Sequence, residues 1–330
     1  MSGKVKIVIG VIVAFIVLLA VIAITQPKPV KSITDEMRLA AIPASAVKQT
    51  PLSDVNKPIV HSDLWSQPVP MPGPVNTAGA EDSPFITLNG SWFFFFFTPD
   101  VEVPAEKQLI DGVTGIWWTQ NVSGTWSAPE RIVLNDDVSL DGAECTVGTR
   151  IWFASVRAGN LGEIDIYHAD YKNGQWSGVK NAGRQLNVDY DIGEFHLMPD
   201  GNTLYFHKGV FSTTSNMDLY VTHWSGSEWT DPEPLSDLNT AGVEGFPYVT
   251  ADGGEMWFTS WSKKGYQGPA IMRSVKQANG SWGAPEEIIS NFAGECTLDS
   301  EGNIYFVHHY YTSGSPATMI EADIYVAYKK

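Results

Sequence analysis

The stretch Glu194-Phe195-His196-Leu197-Met198-Pro199-Asp200-Gly201-Asn202-Thr203-Leu204-Tyr205-Phe206 decides the fold class. An apolar run, an Asp-Gly pair and an aromatic run in that order predict a β-hairpin, because the tight turn needs residues that tolerate positive φ. The same order returns along the chain behind Glu81, Glu144, Glu194, Glu244 and Glu295, at steps of 63, 50, 50 and 51 residues. Asp252-Gly253 and Glu301-Gly302 supply the turn in the last two copies. A third strand follows, at Asp165-Ile166-Tyr167, Asp218-Leu219-Tyr220 and Asp323-Ile324-Tyr325, and a Trp tract closes the unit at Trp126, Trp176, Trp229 and Trp282. Four strands in about 50 residues is the size of one propeller blade.

The ends of the chain carry a further expectation. The fifth copy has no Trp tract before the chain stops at Lys330, while an unassigned Trp65 stands 16 residues ahead of Glu81. Residues from about Ser62 to Met71 are therefore expected to add the outer strand of the last unit. The predicted fold is all-β, a five-bladed β-propeller closed by an N-terminal strand, which removes two exposed sheet edges.

Two stretches connect these repeats to a known family. One is Ile151 to Tyr167, IWFASVRAGNLGEIDIY; the other runs from Trp229 through Pro232, Leu235, Asn239-Thr240, Glu244, Pro247 and Asp252-Gly253 to Phe258. Both resemble the TolB-type, WD-repeat-like β-propeller repeat family, over Trp65 to Lys330. The pattern departs where Gly115 and Ala270 stand in place of the Asp that precedes the third strand. The resemblance implies a propeller; five-bladed relatives in architecture include many glycoside hydrolases.

Ahead of the repeats, Ile7 to Ile24 is an apolar run of eighteen residues, preceded by Lys4 and Lys6. At 1.5 Å per residue it reaches about 27 Å, close to the apolar thickness of a bilayer. Residues 1–25 are read as a single transmembrane helix with its amino end in the cytoplasm, a cleaved signal peptide being the alternative although its apolar core is usually shorter, and 26–60 as an extracytoplasmic linker rich in Pro, Lys, Ser and Ala. Residues 61–330 form the propeller, on the extracytoplasmic side.

Charge narrows the partners. With 21 basic and 37 acidic residues the chain carries −16 and shows no basic stripe, which excludes nucleic-acid binding. Glu81, Glu144, Glu194, Glu244 and Glu295 are expected to form a carboxylate ring about the axis. Three readings of that ring stand side by side: hydrogen-bonding between blades, a site where a hard cation such as Ca²⁺ bridges the carboxylates, and acid–base chemistry on a sugar. No other cofactor is expected. The long loops Thr98 to Gly115 and His308 to Asp323 break the repeat, and Trp261, Tyr266, Tyr310 and Tyr311 in such loops are candidate ligand-binding residues that could stack on a sugar or peptide. Cys145 and Cys296 fall in non-adjacent units and are expected as buried free thiols.

The resulting expectation is a membrane-anchored module that binds a protein or glycan at the cell surface without catalysis. A glycoside hydrolase or lyase using ring carboxylates, and a subunit of a cell-surface assembly, are the alternatives.

Overall fold

The computed structural model describes residues 32–134, 139–210, 216–312 and 318–330. The expected membrane helix lies outside them; among the described residues no helix is long and apolar enough to cross a membrane. Ile33 to Lys330 form one compact unit.

The unit is all-β. Two short strands, β1 (Ile59–Val60) and β2 (Val69–Pro70), precede five antiparallel meanders. The first comprises β3 (Ala80–Ile86), β4 (Trp92–Thr98) and β5 (Gly115–Val122), with β6 (Thr125–Trp126) and β7 (Glu130–Arg131) both on β5. The second is β8 (Ser139–Val147), β9 (Arg150–Arg157), β10 (Asp165–Lys172) and β11 (Gln175–Asn181). The third is β12 (Phe195–Leu197), β13 (Thr203–Gly209), β14 (Met217–His223) and β15 (Glu233–Pro234). The fourth is β16 (Glu244–Val249), β17 (Glu255–Trp261), β18 (Pro269–Val275) and β19 (Glu286–Ser290). The fifth is β20 (Ala293–Leu298), β21 (Ile304–Tyr311) and β22 (Met319–Ala327). Its fourth strand is β2, which pairs Val69 with Val326 and Pro70 with Tyr325, and Trp65 bridges Lys329 just beyond.

The fifth and first meanders share one nine-stranded sheet through Ala322 of β22 beside Ala80 of β3, and apolar side chains join each meander to the next. One cluster joins the first, second and third meanders, another the third and fourth, a third the fourth and fifth, and the last the fifth and first. Strand β4 shows how. Its side chains alternate, so Phe94 packs toward the second meander while Phe93, Phe95 and Phe97 pack toward the fifth, all four fully buried. An Asn adds a polar link between successive meanders. Asn76, Asn187 and Asn239 each make two bonds to the backbone of Ile324, Ile166 and Leu219, the first residues after the repeated Asp.

Four of the five first strands carry a β-bulge at one register. It falls between Asp82 and Phe85, Gly142 and Cys145, Gly245 and Tyr248, and Gly294 and Thr297. Its first residue has positive φ although it is never glycine: Ser83 at 46°, Ala143 at 50°, Phe246 at 53° and Glu295 at 50°. Such a residue re-aims the side chains beside it, at a steric cost to any residue with a Cβ.

Residues 33–60, expected as a linker, run along the sheets. Ile33 is buried and the helix Asp35–Ala41 buries Arg38 completely. The Arg38 guanidinium donates to the Pro74 and Val75 carbonyls and faces the rings of Phe95, Phe97 and Trp117 at 5.3–5.4 Å. Strand β1 then adds a fifth strand to the fourth meander.

Candidate functional site

The five repeated glutamates do not form one ring. Counted from the paired residues that fix register, Phe85 with Phe94, Cys145 with Trp152, His196 with Tyr205, Tyr248 with Trp257 and Thr297 with Tyr305, they occupy three different positions. Glu81 and Glu244 precede the bulge, opposite Phe97 and Ser260. Glu295 is the first bulge residue, Glu194 holds the same place in the third meander, and Glu144 is the second bulge residue.

Glu81 and Glu244 are caps. Thr77 donates its amide to Glu81 Oε2 (2.8 Å) and its hydroxyl to Oε1 (2.6 Å); Thr240 does the same to Glu244 (2.8 and 2.8 Å). The matching stretches Asn76-Thr77-Ala78-Gly79-Ala80-Glu81 and Asn239-Thr240-Ala241-Gly242-Val243-Glu244 therefore lock the loop that leads into each first strand. In the second meander Asp141 fills this place, opposite Ser155, and accepts from Ser155 Oγ and Arg157, both at 2.6 Å. Burial pushes Glu81 up to about 7, opposed by the Arg38 charge and by the Thr77 bonds.

Glu144, Glu194 and Glu295 instead line one small cavity of about 50 Å³, to which the first strands of all five meanders contribute. Both carboxyl oxygens of Glu144 are buried without a hydrogen-bond partner among the described residues. Burial drives Glu144 and Glu295 well above the usual carboxylate range and Glu194 up to about 8, with the charge of Asp82 adding to each. Asp82 itself goes the other way. Burial alone would raise it, but the hydrogen bond and charge of His309, 3.6 Å away, and the Ser83 amide outweigh that and hold it low. Glu295 also shares a hydrogen bond with Asp82 and accepts one from Ser83 Oγ at 3.0 Å. The surroundings thus push Asp82 one way and the three glutamates the other.

Asp82 was not singled out from sequence, yet a signal for it exists. At its register position the other four meanders have Gly142, Gly193, Gly245 and Gly294. A Cβ at Gly193 would stand 2.2 Å from His207 Nε2, and one at Gly245 2.1 Å from Met217 Sδ. Aligning the repeats on that glycine rather than on the glutamate brings Asp82 out as the exception.

On the cap side, residues 43–57 reach the fifth meander. Lys48 Nζ bonds both Glu321 and Asp323, and the Gln49 amide donates to Glu321 at 2.8 Å. Burial opposes the Lys48 charge, but the two carboxylates outweigh it and raise its pKa; Glu321 is pushed up to about 7 by burial despite Lys48 and the Gln49 amide. Asp54 Oδ2 meets His308 Nε2 at 3.0 Å. The four aromatic candidates divide. Tyr310 is buried, its hydroxyl bonded to Asp323 and Tyr325, so it offers no surface to a ligand. Tyr266 is exposed beside His61, and Trp261 ends β17 half-buried. Tyr311, half-buried, packs on Phe292 at 4.5 Å, and the Phe292 amide donates to Gln267, which connects it to the Tyr266 loop.

Among the described residues no group of three or more His, Cys, Asp or Glu side chains is arranged to hold a metal ion. The fivefold convergence on which a Ca²⁺ site depended is not formed, since Glu81 and Glu244 turn into their threonine caps. Cys145 and Cys296 are free, buried thiols.

No family model matches the chain, and no curated protein matches it in sequence. Solved structures similar to it include TolB from Acinetobacter baumannii, 14% identical with a TM-score of 0.41, covering 77% of this chain and 56% of that one. The chain thus spans little more than half the length of that protein. Others are an α-L-arabinofuranosidase from Lactobacillus brevis (13% identical, 74% and 90% covered, TM-score 0.41) and the Bacteroides ovatus xyloglucan PUL GH43B protein (12%, 76% and 53%, TM-score 0.46).

Proposed function

We propose that this chain is a five-bladed β-propeller, closed by its Trp65–Pro70 segment and tethered to a membrane by residues 1–25, that binds a protein or glycan outside the cell and performs no catalysis. The cyclic order of apolar clusters and the pairing of β2 with β22 support the closed propeller. The apolar run Ile7 to Ile24 behind Lys4 and Lys6 supports the tether.

One observation carries the non-catalytic reading. The place where carboxyl groups converge has only about 50 Å³ of space, too little for a sugar ring. Asp82 and Glu295 are hydrogen-bonded to each other, whereas glycosidases hold their two carboxyls about 5–9.5 Å apart with the scissile bond between them. Binding then falls to the exposed loop surface around Tyr266 and Tyr311. The opposed displacement of Asp82 and Glu295 is the feature that favours a hydrolase instead.

The experiment sets the full chain and its Glu295→Gln variant against a panel of chromogenic aryl glycosides, with retention on immobilised polysaccharides and surface proteins measured in parallel. Retention that falls on Tyr266→Ala, with no turnover above the Glu295→Gln background, supports the proposal. Turnover that disappears with Glu295→Gln while unfolding is unchanged overturns it.

A further inference from the structure

The chain enters the meanders at their loop face, the end at which the second strand of each turns into the third. Thr34 bridges Glu130 antiparallel, and β7 in turn lies antiparallel to β5, so residues 33–34 run in the direction of β5. Strand β5 begins at the loop face, at Gly115, and the chain therefore reaches Ile33 from that side. Between Thr25 and Ile33 stand only residues 26–32, seven in all. Fully extended they reach at most about 25 Å.

The same face carries the most exposed large apolar side chains among the described residues, Leu52, Val47, Val55 and Ile110, at 70–94%. Leu52 and Val55 stand on the segment that Lys48 and Asp54 pin to Glu321 and His308, at the loop end of the fifth meander. Val47 and Ile320 border one depression together with residues 99–102 of the β4–β5 loop, the loop that also carries Ile110. The pinned segment thus turns its charged side chains inward and its aliphatic ones to solvent, the reverse of what water favours. On the opposite, turn face the exposed apolar side chains, Leu88, Val122, Trp224 and Val275, are spread over three meanders and none exceeds 61%. Tether length names what covers the loop face. With residues 1–25 in a bilayer, the lipid surface is never further away than the seven residues allow, so even shallow, weak insertion is favoured as an intramolecular contact.

We infer that the loop face of the first and fifth meanders rests on the membrane that anchors the chain, with Leu52, Val55 and Ile110 seated among the lipid headgroups. This rests on the tether proposed above. Asp100, Glu102, Glu106 and Asp111 share the β4–β5 loop with Ile110, and a chain of net charge −16 is repelled by an anionic surface, so the lipid is zwitterionic. Tyr266 belongs to the fourth meander and is not part of the patch.

The test places a fluorophore on each face of the full chain, through Leu52→Cys or Ile110→Cys on the patch and Val122→Cys or Val275→Cys on the turn face. All four positions are exposed and so tolerate the label, while the buried Cys145 and Cys296 set the background. The chain is reconstituted into phosphatidylcholine vesicles with and without lipid that carries a nitroxide high on its acyl chain. Flotation of the vesicles reads the tether, and quenching reads the docking. Both patch labels are expected to lose about half their emission to the nitroxide, and both turn-face labels to keep theirs. A chain that floats with its patch labels unquenched overturns the docking, leaves the tether standing and gives the patch to a protein partner. Equal quenching of all four labels also overturns the docking. A chain that does not float overturns tether and docking together. Quenching that strengthens when phosphatidylglycerol is added overturns the choice of a zwitterionic surface.

Discussion

Glu244 and Glu194 open the first strands of adjacent meanders, and their carboxyls live in opposite surroundings. Glu244 precedes the bulge register and takes two hydrogen bonds from Thr240. Glu194, two register positions further on, points into a cavity of about 50 Å³ among other acids, and is pushed up to about 8. A slip of two positions along an inner strand thus turns a cap that holds a loop into an acid that lines a cavity shared by all five meanders. The first kind of glutamate is held by a threonine of its own loop; the second faces other acids across a shared cavity.

The widest separation between the two kinds is expected on removing a cap. Glu81→Ala takes both acceptors from Thr77 and leaves the fully buried Arg38 without its nearest strand carboxylate, 3.8 Å away. Urea unfolding at pH 7.5 should show a loss of about 3 kcal/mol. A loss below that of an ordinary exposed substitution would break the distinction.

A third arrangement lies between these two. Glu321 and Asp323 are buried and answered by Lys48, which comes from the far end of the chain. Lys48→Met should cost about 2 kcal/mol at pH 8. The cost should shrink at pH 5, where Glu321, already raised to about 7, takes up a proton and needs no cation. Unfolding free energies at the two pH values check this.

The acids of the cavity predict the reverse sign. Folding raises their pKa, so the folded chain binds protons more tightly than the unfolded one. Their contribution is fully present below about pH 4.5 and is lost as pH rises through about 8 for Glu194. Glu194→Gln, which cannot ionise, should match the unaltered chain at pH 4.5 and exceed its stability at pH 9, by on the order of 1–2 kcal/mol. Equal destabilisation at both pH values would instead make Glu194 another cap.

The smallest expected effect concerns the bulge that creates the difference. Ala143 holds φ 50° immediately before Glu144. Ala143→Gly should relieve this left-handed strain and raise the unfolding midpoint, by about 0.5–1 kcal/mol in stability. Loss of stability there would mean that the bulge does not set the orientation of Glu144.

The repeat, its strand order and the docking of Trp65 on the last strand were legible because each rests on local pattern: alternation, Asp-Gly turns and the spacing of Trp. The site was not, because a bulge adds a residue to one strand without a signature in either. Ser83, Ala143, Phe246 and Glu295 share a backbone conformation but no side-chain chemistry. Counting from the glutamates therefore merged three register positions into one, and the aligned glycines that reveal Asp82 carried less visual weight than five carboxylates. Residues 33–60 look like a linker for a related reason. They attach through single side chains, Arg38, Lys48 and Asp54, whose partners lie as much as 275 residues away, and no period in the sequence marks such isolated anchors.

The same Trp65 carries a consequence for biosynthesis. Its indole donates to the Gly302 carbonyl and its backbone bridges Lys329, so Trp65 waits during translation for partners that lie 237 residues and more further along the chain. Until those partners emerge the nascent chain holds an unsatisfied aromatic anchor and an unpaired outer strand, which is the interval in which a chaperone would have most to cover.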